Sequence, residues 1–477
     1  MINQKEKMDT ICAIATPAGG ALGIIRVSGP EAITAADRIF RPRVGAPLSQ
    51  RAASSLTFGN VVVPQTDETV DEVLVSLFRA PHSYTGEDSV EFSCHGSYYI
   101  LNKVVELLLA QGCRMARPGE YTERAFLNGK MDLSQAEAVA DLIVSTTEAN
   151  HRMAMQQMRG GFSKELRTLR DQLLHITSLL ELELDFSDHE ELEFASRPEL
   201  LALAERIRSH ISGLCQSFRL GNALKRGVPV ALVGETNAGK STLLNALVGE
   251  ERALVSNVHG TTRDTIEETV NVGGTLVRFI DTAGIRETSD TVERMGIERT
   301  FDKMAEADIV LWLIDLTVYQ AQYDELAEKI GVQVEGKQLV VLLNKTDLVS
   351  ESTINEAKQY ISGQLNNAVP TPMLLTLSAQ SGSGLDQLKQ LLAASLSTLQ
   401  AENNSTGTIV SNLRHYEALS AALAATDRVI EGLHQGLSGD FVSQDLRECI
   451  YHLSDIVGEV TTDQVLGNIF KHFCVGK

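Results

Sequence analysis

The residues with the clearest chemical meaning lie at 234–241. The run VPVALVGETNAGKST sets Gly234-x-x-x-x-Gly239-Lys240-Ser241 directly after a β-branched strand and before a helix, the context that a phosphate-binding P-loop requires. Its glycines let the backbone curl until successive N–H groups face phosphate oxygens. Lys240 has the reach for the β- and γ-phosphates, and the Ser241 hydroxyl suits Mg²⁺. Asn237, Ala238 and Thr242 complete the cradle. Three further motifs follow in order. Thr261-Thr262 sits in a polar, Gly-containing loop, where a threonine binds Mg²⁺ and senses the γ-phosphate. Asp281-Thr282-Ala283-Gly284 ends the strand TLVRFI; its Asp holds Mg²⁺ through water and its Gly donates an N–H to the γ-phosphate. Asn344-Lys345-Thr346-Asp347 ends the strand KQLVVLL. A carboxylate there accepts both N1–H and N2–H of guanine. Adenine lacks that donor pair, and mismatched buried polar groups are heavily penalised. Ser378-Ala379, after TLSA, completes the base pocket. The ordered set implies GTP with Mg²⁺.

One position breaks the usual pattern. The residue after Asp281-Thr282-Ala283-Gly284 is Ile285. Ras-like enzymes use a Gln there to orient the attacking water, and an isoleucine cannot. Either hydrolysis is feeble or another group holds the water; Glu287, Asp290 and Glu293 follow closely. Spacing alone identifies no arginine finger, and Arg263 and Arg286 read as surface residues.

These motifs need elements to hold them. Residues 228–384 alternate strand and helix patterns, which implies a mostly parallel α/β sheet. Residues 1–130 carry short β-rich runs, ALGIIRVSG, NVVVP and EVLVSLF, and a helical run LNKVVELLLAQG closed by Gly112; this predicts an α+β domain. No proline lies between Pro118 and Pro198 or after Pro372, so long helices are permitted there. Leu166, Leu169, Leu173, Ile176, Leu180 and Leu184 recur at helical spacing and predict a packed face. Residues 409–477 also read as helical, with breaks at Gly436 and Gly439. The expected organisation is therefore 1–130, an α+β domain; 131–227, helical; 228–384, an inserted α/β P-loop domain; and 385–477, the second part of one discontinuous helical domain.

Composition bounds the rest. The chain has 477 residues, 42 basic against 62 acidic, a net charge of −20. That excludes a simple basic nucleic-acid binder held by its own charge. Half of the acidity falls in 228–384, net −10, whereas 1–130 is net −1. A polyanionic partner is then met by local patches or through a second protein. No apolar run is long enough to span a membrane, the first residues have no signal-peptide core, and six scattered Cys without a C-x-x-C pair suit a reducing cytoplasm. The acidic cluster Glu181, Glu183, Asp185, Asp188, Glu190, Glu191 and Glu193 reads as a solvated loop rather than a metal site.

Several marks together resemble one family. ATPAGGALGIIRVSG, YTGEDSVEFSCHG, PGEYTERAFLNGKMDLSQAEAVADLI, NAGKSTLLNAL, GTTRDTIEE, DTAGIRETSDTVERMGIERT and the terminal FCVGK look like the bacterial tRNA-modification GTPases MnmE (TrmE) across essentially the whole chain. The resemblance implies a homodimer formed through the N-terminal domain. It also implies a tetrahydrofolate derivative (5-formyl- or 5,10-methylene-tetrahydrofolate) lined by Arg26, Glu91, Lys130 and Lys477. It implies K⁺ between two G domains, matched by Asn237, Ser256, Val258 and Thr261, with Ser256 and Val258 departing mildly from the expected Thr and Ile. Glu293 matches the glutamate that orients the attacking water, which would answer the Ile285 puzzle, and Thr262 would join Ser241 on Mg²⁺. The implied reaction adds an aminomethyl or carboxymethylaminomethyl group to carbon 5 of a tRNA wobble uridine, with MnmG (GidA) in a heterotetramer. Cys474 reads as a packing or folate-contacting residue rather than a nucleophile. Two other readings stay open: a ribosome-assembly switch, against which no KH pattern is found in the C-terminal segment, and a folate-dependent small-molecule transferase regulated by its G domain.

Overall fold

The computed structural model describes residues 9–185, 196–235, 237–249, 268–280, 304–334, 336–365, 372–402, 408–471 and 473–476. The chain divides into two compact units.

The first unit comprises Met1–Ile143, Met155–Phe194 and Ser443–Lys477. Its centre is a seven-stranded sheet of β1 (Ile11–Ile14), β2 (Leu22–Ser28), β3 (Phe40–Pro42), β4 (Ser55–Val62), β5 (Thr69–Phe78), β6 (Ser89–His95) and β7 (Arg114–Met115), in the order β3-β4-β5-β6-β2-β1-β7. All neighbours are antiparallel except β1 and β7. The period-2 pattern of β5 shows why one face is covered: Val73, Val75 and Leu77 are buried, whereas Glu72 and Leu74, which alternate with them, are exposed. The buried face packs on the helices Ala32–Ile39 and Tyr98–Ala110 through Ala36, Ile39, Leu101 and Leu108. The three β-rich runs and the helix before Gly112 thus appear where the sequence puts them.

In the same unit the helix Gly161–Asp185 buries Leu166, Leu169, Leu173, Ile176 and Leu180, the expected stripe. Glu181 lies on this helix and pairs with Arg447 at 2.7 Å, and Asp185 is its last residue, so the acidic cluster begins on a helix rather than in a loop. Its members beyond 185 lie outside the described residues. Arg170 pairs with Glu459, a second link between chain segments remote in sequence. The helix Asp463–Phe470 packs on the helix Glu120–Leu127. Gly119 (φ +70°) makes that approach possible, since a Cβ there would lie 2.6 Å from the Phe470 carbonyl oxygen.

The second unit comprises Val144–Ala154 and Ala195–Val442. Its sheet consists of β8 (Val228–Val233), β9 (Glu268–Val272), β10 (Thr275–Ile280), β11 (Ile309–Asp315), β12 (Gln338–Asn344) and β13 (Met373–Thr376), ordered β13-β12-β11-β8-β10-β9. Every pair is parallel except β9 with β10. Strands buried on both faces read as continuous apolar runs, as β8, β11 and β12 do. The helix Arg197–Arg226 runs beside the helix Leu413–Gln435. Phe218 stacks on Tyr416 with centroids 4.4 Å apart, Arg208 pairs with Asp427, and the Ser217 hydroxyl accepts the Val410 N–H at 3.0 Å. Helical segments before and after the inserted sheet therefore touch directly. One apolar cluster joins Leu220 and Leu224 of the first helix to Val230, Val277, Leu388 and Leu392. The architecture is the expected one: an α+β N-terminal sheet, helical segments and an α/β P-loop domain.

Candidate functional site

The strand order places β8 between β11 and β10, so the sheet changes direction at the end of β8. Ligands of open α/β sheets bind beyond the carboxyl ends of strands at such a point. The loops that begin at Gly234, Asp315, Asn344 and Leu377 all leave that edge.

The P-loop is shaped by backbone that L side chains resist. Gly234 has φ +155°, and a Cβ there would meet the Leu313 carbonyl oxygen at 2.4 Å. Gly239 has φ +102°, and its Cβ would lie 2.3 Å from Asn344 Nδ2. Asn237 adopts φ +66°, a left-handed conformation that asparagine tolerates better than most residues. The helix Lys240–Gly249 starts as the loop ends, so its free N–H groups face the loop. Lys240 Nζ donates to the Gly234 carbonyl and, at 3.1 Å, to that of Glu235. Burial pulls the ammonium below the ordinary lysine value, with Glu235 pulling it back up. Burial and the neighbouring Glu325 carboxyl push Glu235 up. Ser241 is half-buried and Thr242 is exposed.

The base-recognition loops converge on one side chain. Asn344 is buried; its Nδ2 donates to the Ala238 carbonyl at 2.7 Å and its Oδ1 accepts the Ala379 N–H at 3.0 Å. Ser378 is buried too, its hydroxyl accepting the Ser381 N–H at 3.2 Å. Lys345 takes φ +67° and pairs with Asp315 at 2.6 Å. The chain then enters the short turn Thr346–Leu348, which leaves Asp347 exposed. Asn237, Ala238, Gly239, Lys240, Asn344, Lys345, Asp347, Ser378 and Ala379 thus share one sheet edge. Ser256, Val258, Thr261, Thr262, Asp281, Thr282, Ala283, Gly284 and Glu293 lie outside the described residues, as does Lys477.

A second constellation occupies the N-terminal sheet. Arg26 on β2 faces Glu91 on β6, with Nε donating to Glu91 Oε1 at 2.8 Å. The guanidinium also lies 5.5 Å from the ring centroids of both Tyr84 and Tyr121, and its Nη1 donates to the Gly476 carbonyl at 3.2 Å. Gly476 has φ +90°, and a Cβ there would press on the Ile14 carbonyl oxygen at 2.8 Å. The chain's last described residue is therefore seated on the sheet beside Arg26. Lys130 Nζ donates to the Pro81 carbonyl at 2.9 Å, which ties it to the loop that carries Tyr84. Below this lies an ionic network. Arg124, 6% exposed, bonds Asp9, Glu87 and Glu120, and Arg114 bonds both Asp9 and Glu120. Burial raises Glu120, but Arg114, the Arg117 N–H and Arg124 together bring it below the ordinary value.

The sequence alone does not single out Tyr84, Tyr121, Asp315 or Gln322. The available signal for Asp315 is a carboxylate ending the otherwise apolar strand IVLWLID. Among the described residues no group of three or more His, Cys, Asp or Glu is placed to hold a metal, and no helix is long and apolar enough to cross a membrane.

Comparison with known proteins shows the family. Residues 10–130 match the family described as GTP-binding protein TrmE N-terminus, and residues 133–474 match the MnmE helical domain. The tRNA modification GTPase MnmE of Bacteroides fragilis strain YCH46 is 58% identical over 470 residues, 98% of this chain and 99% of the relative. That of Bacteroides thetaiotaomicron is 58% identical over 473 residues, 98% and 99% of the two chains. That of Porphyromonas gingivalis strain W83 is 48% identical over 474 residues, 98% of each. With whole-length identity of this order and both family regions present, the chain belongs to the tRNA modification GTPase MnmE family.

Proposed function

We propose that this GTPase acts with MnmG (GidA), in a heterotetramer built on its own homodimer, to add an aminomethyl or carboxymethylaminomethyl group to carbon 5 of the wobble uridine of certain tRNAs. The observation that carries the GTP half is the meeting of Ala238, Asn344 and Ala379 through one buried amide. It joins a phosphate cradle to a loop bearing the exposed carboxylate of Asp347. The proposed domains are the four segments 1–130, 131–227, 228–384 and 385–477.

In this reading Asp347 accepts guanine N1–H and N2–H, and the P-loop N–H groups and Lys240 hold the phosphates. Ser241 and Thr262 hold Mg²⁺; Asn237, Ser256, Val258 and Thr261 hold K⁺ where two G domains meet. The cations supply the transition-state charge that an arginine finger gives elsewhere. Glu293 orients the attacking water, which Ile285 cannot do. The left-handed backbone of the exposed Asn237 in the P-loop supports a ligand role. Arg26, Glu91, Lys130 and Lys477 hold the tetrahydrofolate derivative. A guanidinium flanked by two tyrosine rings and a carboxylate suits a flat heterocycle bearing donors and carboxylates.

Nucleoside mass spectrometry of tRNA from a deletion strain tests the reaction: loss of the wobble modification is expected, and an unchanged profile removes it. GTP turnover at equal ionic strength in KCl and NaCl tests the cation. Several-fold faster turnover in KCl is expected, and equal rates remove the K⁺ site. Glu293→Ala is expected to bind GTP and lose most hydrolysis.

A further inference from the structure

We propose that Asp315 is the positioning residue of the base-recognition loop, acting through Lys345, with Gln322 fixing the Asp315 main chain. This rests on reading residues 344–347 as the guanine site.

Asp315 ends β11 in register with Asn344 at the end of β12, so the carboxylate stands beside the residue that starts the loop. It is 6% exposed and fully engaged. Oδ1 accepts the Thr317 N–H at 2.9 Å and the Thr317 hydroxyl at 2.8 Å, while Oδ2 accepts Lys345 Nζ at 2.6 Å. Pinned on both oxygens, it offers Lys345 one fixed anchor. Lys345 needs one, because φ +67° is unfavourable for a residue with a Cβ. That left-handed step turns the chain out of β12 into Thr346–Leu348 and presents Asp347. A charge-assisted bond to a buried carboxylate offsets the backbone strain. Without it, Lys345 relaxes and Asp347 leaves its position two residues on.

Gln322 extends the arrangement. It is buried on the helix Tyr319–Gln333, and its Oε1 accepts the Asp315 N–H at 2.8 Å, which fixes the main chain at the end of β11. Gln322 therefore holds the Asp315 main chain while Thr317 and Lys345 hold its carboxylate.

The test is the release rate of a fluorescent GDP from the full chain, with thermal melting alongside. Loss of one charge-assisted hydrogen bond predicts about tenfold faster release for Asp315→Asn. Lys345→Ala should release GDP about as fast, and the double variant no faster than Lys345→Ala alone. Additive effects, or unchanged release in Asp315→Asn, overturn the proposal, because a merely structural aspartate would not depend on Lys345. Should Asp315→Asn fail to fold, Thr317→Val serves: release a few-fold faster is expected from the loosened carboxylate, and unchanged release counts against it. Gln322→Leu should also speed GDP release, and an unchanged rate removes Gln322 from the arrangement. Asp347→Asn separates the two readings. It should exchange preference for GDP into preference for xanthosine diphosphate. If it does not, the guanine reading itself fails; if it does and Asp315 and Lys345 act additively, only this proposal fails.

Discussion

Asn344 Nδ2 donates to the Ala238 carbonyl at 2.7 Å, across 106 residues of sequence, while its Oδ1 takes the Ala379 N–H. All three residues are buried. Truncation to Asn344→Ala leaves a buried carbonyl and a buried N–H without partners, at about 1–3 kcal/mol each. GDP affinity measured by calorimetry should fall at least about tenfold. Gly239→Ala should break the same link from the other side, because its Cβ would meet Asn344 Nδ2 at 2.3 Å. The double variant should bind no worse than the weaker single one. Independent, additive losses would show that the two loops are not joined through this amide.

That relationship also shows how much was legible in the sequence. The motif residues at 234–241, 344–347 and 378–379 were readable because a phosphate loop and a guanine loop demand fixed residue types at fixed spacing. The strands beneath them were readable because doubly buried strands are apolar throughout. Asp315 was not, since one carboxylate at a strand end has no periodicity, and its meaning appears only when β11 and β12 lie side by side. Tyr84 and Tyr121 escaped for the same reason: 37 residues apart, they converge on Arg26 only through the fold. The acidic run from Glu181 was misread at its start because a solvated helix face and a solvated loop have the same composition.

The N-terminal constellation makes its own prediction. Arg26→Ala removes the ion pair with Glu91, both ring contacts and the bond to the Gly476 carbonyl. Binding of a tetrahydrofolate derivative, followed by fluorescence or calorimetry, should weaken about tenfold or more, as for loss of a charge-assisted pair. GTP turnover should hardly change. Arg26→Lys should not rescue binding, because an ammonium neither stacks nor forks as a guanidinium does. Full folate affinity in either variant would remove Arg26 from the site.

The network beneath it predicts an acid limit for this unit. Asp9 and Glu120 both sit below their ordinary values of 3.8 and 4.5; burial opposes this, but the bonds to Arg114 and Arg124 outweigh it. Carboxylates lowered in the folded chain contribute stability that is complete above about pH 5. It is lost as pH falls through the lowered values. Arg124→Ala takes one arginine from Asp9, Glu87 and Glu120 while Arg114 stays on Asp9 and Glu120, and should destabilise by about 1.5–3 kcal/mol, as for loss of hydrogen bonds to charged groups. Its acid unfolding, followed by circular dichroism, should begin at higher pH than in the wild type. An acid limb at the same pH would mean that these carboxyls titrate independently of Arg124.

The six cysteines should separate sharply in reactivity. Cys12, Cys94, Cys113 and Cys449 are buried, Cys215 is partly so, and Cys474 is exposed. Burial pushes the Cys94 thiol up to about 12 and raises Cys215 as well. Cys12 is raised by its hydrogen bond with the Cys113 thiol and by burial. Thiolate is the reactive form, so Cys12 and Cys94, inaccessible and resistant to ionisation, should be silent at pH 8, and Cys113 and Cys449 should be silent by burial alone. The Cys474 carbonyl accepts the Gly119 N–H, which anchors the backbone and leaves the side chain outward. Iodoacetamide on the native chain, read by peptide mass spectrometry, should modify Cys474 first and leave the four buried thiols untouched until denaturant is added. Cys474→Ser should abolish the fast phase. Rapid native labelling of Cys12 or Cys94 would mean that the N-terminal sheet opens on the labelling timescale, since neither sulfur reaches solvent while β1 and β6 stay paired to β2.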